Sequence, residues 1–201
     1  KEYEENPTKH FPVLYMQDGQ NLFDPQTAYK GRAWELDKSS RNAIKNNEII
    51  PCIIVGISNV DTRFFEYFPQ KATIYLTKDD YVLMEQGGLE QASDTSNYLA
   101  DNYLKFLVNE LKPFIDKNYR TKTEAASTAI GGSSSGALIS LYAICEYPQI
   151  FGQAACISTH WSVLFDNEFI SPSESIRTYL KHNLPDPKTH RIYFDYGTLA
   201  I

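Results

Sequence analysis

Short apolar runs recur along this chain, and successive runs are separated by stretches far too long to be hairpin turns. Pro12-Val13-Leu14-Tyr15-Met16 stops at Asp18-Gly19, and residues 52–57 are rich in β-branched side chains. Residues 125–130 run into Gly131-Gly132, and residues 153–158 and 191–196 complete the set, the last ending at Gly197. Runs of this length and composition read as buried strands. Between them, helices are predicted over about residues 33–46, 95–119, 135–147 and 174–182. The first part of the second connection, residues 58–92, has weak periodicity and reads as long loops with local structure. In the 95–119 segment Leu99, Tyr103, Leu107, Leu111 and Ile115 form an i, i+4 row, the stripe by which a helix packs on a core. Pro113 is expected to kink or divide that helix. Strands joined by crossovers of helix length pair in parallel, and continuous apolar runs need cover on both faces. The fold class is therefore α/β: a doubly wound, mostly parallel sheet with helices on both faces.

A chain of 201 residues is expected to form a single domain, residues 1–201, with one sizeable core. With 42% hydrophobic and 22% charged residues, neither disorder nor a coiled coil is indicated. The net charge of −6 offers no basic surface to phosphate backbones or anionic lipid, so neither nucleic acid nor a membrane is an expected partner. No apolar run approaches the roughly 20 residues of a membrane-spanning helix. Residues 1–7 also lack the basic start and apolar stretch of a signal peptide, and the compartment stays open, as does the oligomeric state. Three cysteines, Cys52, Cys145 and Cys156, give no paired framework and read as small buried hydrophobes. Neither a Cys-x-x-Cys pair nor clustered histidines supply metal-ligand spacing; no metal or organic cofactor is expected. His10, His182 and His190 read as surface residues.

The strongest chemical signal is Gly132-Ser133-Ser134-Ser135-Gly136, a Gly-x-Ser-x-Gly pattern with a strand before it and a helix after it. In a nucleophile elbow the central residue sits on a sharp strand-to-helix turn, with its side chain above the carboxyl edge of the sheet. Neighbours two residues away must be small so that strand and helix approach. The N–H of the following residue then opens the helix and faces developing negative charge. Three serines compete, and only Ser134 has glycine on both sides at this spacing. A plain glycine-serine turn and a phosphate nest are the alternatives. A P-loop would end in Lys-Ser/Thr, where this chain has Gly136-Ala137-Leu138.

Residues 12–24, PVLYMQDGQNLFD, resemble a segment of the esterase family of α/β-hydrolases, which includes esterase D and the feruloyl, acetyl-xylan and siderophore esterases. Residues 110–120 are similar to the helix before that family's nucleophile strand. Asn59, Arg63, Glu66, Tyr67 and Pro69 match its N-x-x-x-R-x-x-E-Y-x-P loop. The resemblance covers nearly the whole chain. It implies that Ser134 is the nucleophile and that the backbone N–H groups of Gln20 and Ser135 form the oxyanion hole. It puts Arg63 and Glu66 near the substrate, with a surface ion pair as the other reading. His160 and Trp161 follow a strand's carboxyl end, where ligands bind in open α/β sheets, and are candidates to line the pocket; for Trp161 ordinary packing is the alternative. Two departures stand out. Gln17 replaces the family's usual histidine before Asp18. In this fold the triad runs serine, acid, histidine, yet residues 198–201 hold no carboxylate and no histidine follows. The acid and histidine are therefore expected outside this chain, and the sheet is expected to lack its first strands and its last strand and helix. Asp195, read as lying within a strand, and His160 are weak fallbacks for those roles. The implied activity is that of a serine esterase on a small-molecule or glycan-linked ester. An acyltransferase and a non-catalytic binding module on the same scaffold are the rivals.

Overall fold

The structure is a computed structural model that describes residues 2–161 and 171–196. Five strands, β1 (Val13–Gln17), β2 (Ile53–Ile57), β3 (Thr128–Ser133), β4 (Gln153–Ile157) and β5 (Arg191–Phe194), form one sheet in the order β2-β1-β3-β4-β5. Every pairing is parallel, as the crossover lengths require. Gln17 pairs with Ile57, Ser133 with Ile157 and Cys156 with Phe194, so the strands end close together at one carboxyl edge. The helices in chain order are α1 (Glu2–Glu5), α2 (Leu36–Lys45), α3 (Arg63–Tyr67), α4 (Lys78–Gln86), α5 (Ala100–Phe106), α6 (Lys112–Asn118), α7 (Ser135–Glu146) and α8 (Ser171–Asn183). They cover both faces, and the architecture is that of part of an α/β-hydrolase sheet. No helix among the described residues is long and apolar enough to cross a membrane.

The core is centred on α7. All of Ser135 through Ile144 is buried, because the helix lies on β3 and β4 and is covered on its outer side as well. Its leucines and isoleucines each contribute roughly 1.5–3 kcal/mol by leaving water, which fixes the start of the helix against the end of β3. Ser140, the polar residue in the middle, is satisfied by donating its hydroxyl to the Gly136 carbonyl at 2.7 Å.

Two elements differ from the sequence expectation, and a third is divided, as Pro113 leads one to expect. The strand anticipated over 125–130 begins at Thr128 and runs through both glycines to Ser133, with Ala125–Ser127 forming a 3-10 turn. Glycine usually weakens a strand, but Gly131 packs so closely on Ala155 and Met16 that a Cβ would lie 3.1–3.2 Å from them; close approach is the other reason for glycine in a strand. The 95–119 helix is broken into α5, a π turn (Leu107–Leu111) and α6, with Pro113 in the first turn of α6. A wider turn ahead of a residue with no N–H is how a helix passes a proline. Residues 58–92, read as long loops with local structure, contain α3 and α4. α4 is nucleated by a capping box: Asp80 N–H donates to Thr77 Oγ1 at 3.2 Å, and Thr77 N–H donates to Asp80 Oδ2 at 2.6 Å. Thr77→Ala is expected to cost about 1 kcal/mol of stability, read as a lower denaturation midpoint with an unchanged slope.

Candidate active site

Because all five strands run the same way, every residue that follows a strand end reaches the same edge of the sheet. Ser134 follows β3 and caps α7. Its backbone has φ 58° and ψ −125°, a region that L-residues seldom enter and that costs of order 1–3 kcal/mol. Tertiary bonds hold it there. Ser134 N–H donates to the Ile157 carbonyl at 3.0 Å, and its own carbonyl accepts from Ala137 at 3.1 Å and His160 at 3.3 Å. Both flanking glycines are sterically required. A Cβ on Gly132 would lie 2.7 Å from the Gly136 backbone, and one on Gly136 would lie 2.9 Å from Asp18 Oδ2. At the first position of α7 the Ser135 N–H has no intrahelical acceptor, which leaves it at the positive end of the helix dipole.

The segment after β1 meets this turn from the side. Asp18 is left-handed (φ 55°, ψ 46°) and leads into a 3-10 turn, Gly19–Asn21. Gly19 lies against the end of β2, where a Cβ would fall 2.5 Å from Gly56 C and Ile57 N. Gln20 is tied down at both ends: its carbonyl accepts from Thr27 Oγ1 at 2.7 Å and its Oε1 from Asn59 N–H at 3.2 Å. The buried Asp18 carboxylate takes a two-pronged bond from Arg63, Nε to Oδ1 at 2.7 Å and Nη2 to Oδ2 at 2.8 Å, and a third from Asn59 Nδ2 at 2.6 Å. Burial alone would lower the Arg63 guanidinium, but Asp18's hydrogen bonds and charge more than offset it, and the net direction is upward. The guanidinium also covers the Tyr67 ring, 4.9 Å from its centroid. Gln17, standing where the family has histidine, is fully buried and accepts a hydrogen bond from the Tyr103 hydroxyl.

Arg63 and Glu66 belong to a short helix rather than a loop, and a surface ion pair between them is corrected: Arg63 takes Asp18 as its carboxylate, and Glu66 is half-buried on the same helix. Asn59 and the Asp18 side chain were not singled out as functional from the sequence. Their signal was the Asn59-x-x-x-Arg63 spacing and the Asp18-Gly19 pair, which carry no hint that the two segments meet. Asp195 is also corrected. β5 ends at Phe194, so Asp195 lies past the strand, where its Oδ1 accepts from Ser158 N–H at 2.6 Å. Gly197 falls outside the described residues. Ser158 is itself left-handed (φ 44°), and the turn it starts carries His160 and Trp161. Trp161 stacks on Phe194, ring centroids 6.0 Å apart. His160 lines a small cleft with Phe64, Tyr67, Phe68, Ser135 and Leu138. The structure thus brings Ser134, Ser135, Gln20, Arg63, His160 and Asp195 to one edge of the sheet.

Burial lowers the His160 imidazole below its ordinary value, and the Arg63 charge lowers it further. A histidine neutral in the folded state and protonated in the unfolded state favours unfolding in acid. His160 therefore contributes stability that is present above the unfolded value of about 6.5 and lost as pH falls through its lowered folded value. His160→Gln should flatten the stability profile in that window, measured by urea denaturation across pH.

Other expectations shift less. Cys156 is buried, whereas Cys52 and Cys145 are half-buried, so not all three are core residues; burial pushes the Cys145 and Cys156 thiols up to about 12. His190 is half-buried, its Nε2 donating to the Pro148 carbonyl at 2.8 Å, and is not the surface residue expected; His10 and His182 are exposed. Among the described residues no three His, Cys, Asp or Glu side chains converge as a metal site would require. A cavity of about 780 Å³, lined by Tyr3, Phe11, Ile44, Cys52, Ile53 and Tyr119, lies near the strand beginnings and contains none of the residues gathered at the carboxyl edge.

Comparison with known proteins points the same way. The chain is 30% identical over 152 residues to YbbA of Bacillus subtilis, an uncharacterized protein, across 75% of this chain and 51% of YbbA. It is 24% identical over 189 residues to an endo-1,4-beta-xylanase/feruloyl esterase of Xylanibacter ruminicola, covering 92% of this chain and 19% of that protein. Among solved structures it superposes on an IroE-like serine hydrolase from Shewanella oneidensis with a TM-score of 0.58 and 22% identity, over 96% of this chain and 52% of the other. The chain therefore spans about half the length, or less, of these relatives. The family model described as "Putative esterase" matches residues 1–200. With its strand-to-helix serine turn in place and nearly its whole length matched, the chain belongs to that esterase family.

Proposed function

We propose that the full-length protein hydrolyses a carboxylic ester through an acyl-enzyme on Ser134. The observation that carries this reading is the backbone of Ser134, held at φ 58° between a parallel strand and the first turn of a buried helix. Strain of that kind is maintained only where the surrounding structure over-determines it, and such strain clusters at functional sites. In the first step Ser134 Oγ bonds to the ester carbonyl carbon and its proton passes to a base, while the carbonyl oxygen becomes an oxyanion. The N–H groups of Ser135 and Gln20 stabilise that oxyanion, and loss of one such donor costs about 2.7–4 kcal/mol. Collapse of the tetrahedral species breaks the ester C–O bond, and the alcohol leaves with the proton. Water then attacks the acyl-serine, releases the acid and restores the Ser134 hydroxyl.

The base is assigned to a histidine steadied by a carboxylate, both outside residues 1–201. His160 and Asp195 do not fit these roles, because the triad of this fold runs serine, acid, histidine, whereas here the histidine precedes the acid. The substrate class is a small-molecule or glycan-linked ester, a reading supported by the xylanase/feruloyl esterase relative and by Trp161 and Phe194 at the carboxyl edge. Treating the full-length protein with a fluorophosphonate and mapping the adduct by mass spectrometry tests the reading. Modification of the Ser134 peptide alone is the expected result, and folded protein that takes no adduct, or takes it elsewhere, would overturn it.

A further inference from the structure

We infer that Asp18, Arg63 and Asn59 form a clamp that sets the position of the Gln20 N–H relative to the Ser135 N–H, which makes Asp18 and Arg63 positioning residues for ester hydrolysis. The inference rests on the acyl-enzyme reading above and adds to it the device that holds one half of the oxyanion site. A backbone donor is useful only if it points at the developing charge before the charge appears, and the single residue, Asp18, between β1 and the helical turn does not by itself guarantee that. Here the loop is fastened on each side of Gly19 to the same residue: Asn59 gives its side-chain amide to Asp18 and its backbone N–H to Gln20 Oε1. Arg63 then locks the Asp18 carboxylate in plane with a two-pronged bond, the geometry in which a guanidinium is most directional.

The same carboxylate reaches across to the other donor. Asp18 Oδ2 stands where a Gly136 side chain would begin, one residue beyond Ser135, so the clamp also sets the separation between the β1 loop and the start of α7. Stability does not by itself account for the pair. Only 7% of the Asp18 side chain and 21% of the Arg63 side chain are exposed, and a buried ion pair often contributes no more than an apolar replacement would. Holding a left-handed, non-glycine residue ahead of Gln20 is what a directional pair achieves and an apolar contact does not. With Nε and Nη2 both given to Asp18, Arg63 is placed to act through the loop.

The test uses the full-length protein and 4-nitrophenyl acetate, with Asp18→Asn, Arg63→Gln and the double variant, each checked for folding by circular dichroism. Asparagine tolerates the left-handed backbone and keeps the bond to Asn59, so Asp18→Asn removes chiefly the ion pair. Each single variant is expected to lose about 10- to 100-fold in kcat with KM changed by less than about 3-fold, the pattern of an interaction made in the transition state. The double variant is expected to be no worse than the weaker single, since both break one device. Affinity for a trifluoromethyl ketone, whose adduct carries an oxyanion, should fall in step with kcat/KM, while affinity for acetate stays put. Should Asp18→Asn not fold, Arg63→Lys, which keeps the charge and loses the fork, is expected to show the same kcat-only loss at smaller size. Folded variants with unaltered kcat, or with raised KM and unaltered kcat, would overturn the clamp and leave the Ser134 mechanism standing. A wild-type protein with no Ser134-dependent turnover would overturn both.

Discussion

Ser134→Ala in the full-length protein is expected to reduce ester turnover by about 10³- to 10⁶-fold, the range seen when the nucleophile of a serine hydrolase is removed. That corresponds to roughly 4–8 kcal/mol of lost transition-state stabilisation, far more than any packing change at this position would produce. The folded state should hardly notice. Ser134 makes its structural bonds with its backbone, to Ile157, Ala137 and His160, and alanine at φ 58° is strained to a similar degree. Ser134→Gly separates the two effects further. Glycine enters this region freely, so the variant is expected to be inactive yet equal to or up to about 1 kcal/mol more stable than wild type, the trade expected of a strained catalytic residue. Turnover of 4-nitrophenyl acetate and urea denaturation midpoints on the same preparations decide the matter. Wild-type-like turnover in Ser134→Ala would remove this residue from the chemistry.

The second large effect is expected from a single methyl group. In Gly19→Ala the new Cβ would lie 2.5 Å from Gly56 C and from Ile57 N, and both are backbone atoms that no rotamer change can move. Either β2 or the β1 loop has to shift. Overpacking of this kind costs typically about 1–3 kcal/mol and occasionally more. Because the loop bears Gln20, displacement should also remove an oxyanion donor, and kcat is expected to fall by about 10²- to 10³-fold. Gly88→Ala provides the contrast. Gly88, unlike Gly19, has a positive φ, +95°, and nothing lies within 4 Å of its would-be Cβ, so only backbone strain is added and activity should be unchanged. Equal stability loss and equal activity in the two variants would mean that the Gly19–Gly56 contact does not govern the site.

Much of this molecule could be read from local pattern. The Cys52–Ile57 run is apolar and β-branched and the Gln153–Ser158 run is short with an apolar centre, and a strand in a parallel sheet needs little else. The serine turn was legible for the same reason: the steric demands of an elbow fall on residues within two positions of Ser134, so they are recorded in adjacent letters. α3 and α4 were not legible, because α3 is only five residues long and neither shows a helical period. α3 depends on the contacts of Arg63, Tyr67 and Phe68 with distant segments, and α4 on a short cap at Thr77 and Asp80.

By itself, then, the sequence determined the strand and helix alternation, its parallel sense and the strained turn at Ser134, since each follows from contacts between near neighbours or from the length of a connection. Tertiary structure alone decided what Asp18 and Arg63 do. They are 45 positions apart, and an ion pair between them exists only because β1 and β2 lie side by side and end together. It also decided that Asp195 stands beyond its strand and holds the Ser158 turn, since a strand stops where its neighbour's hydrogen bonds stop, and that neighbour lies more than thirty residues earlier in the chain.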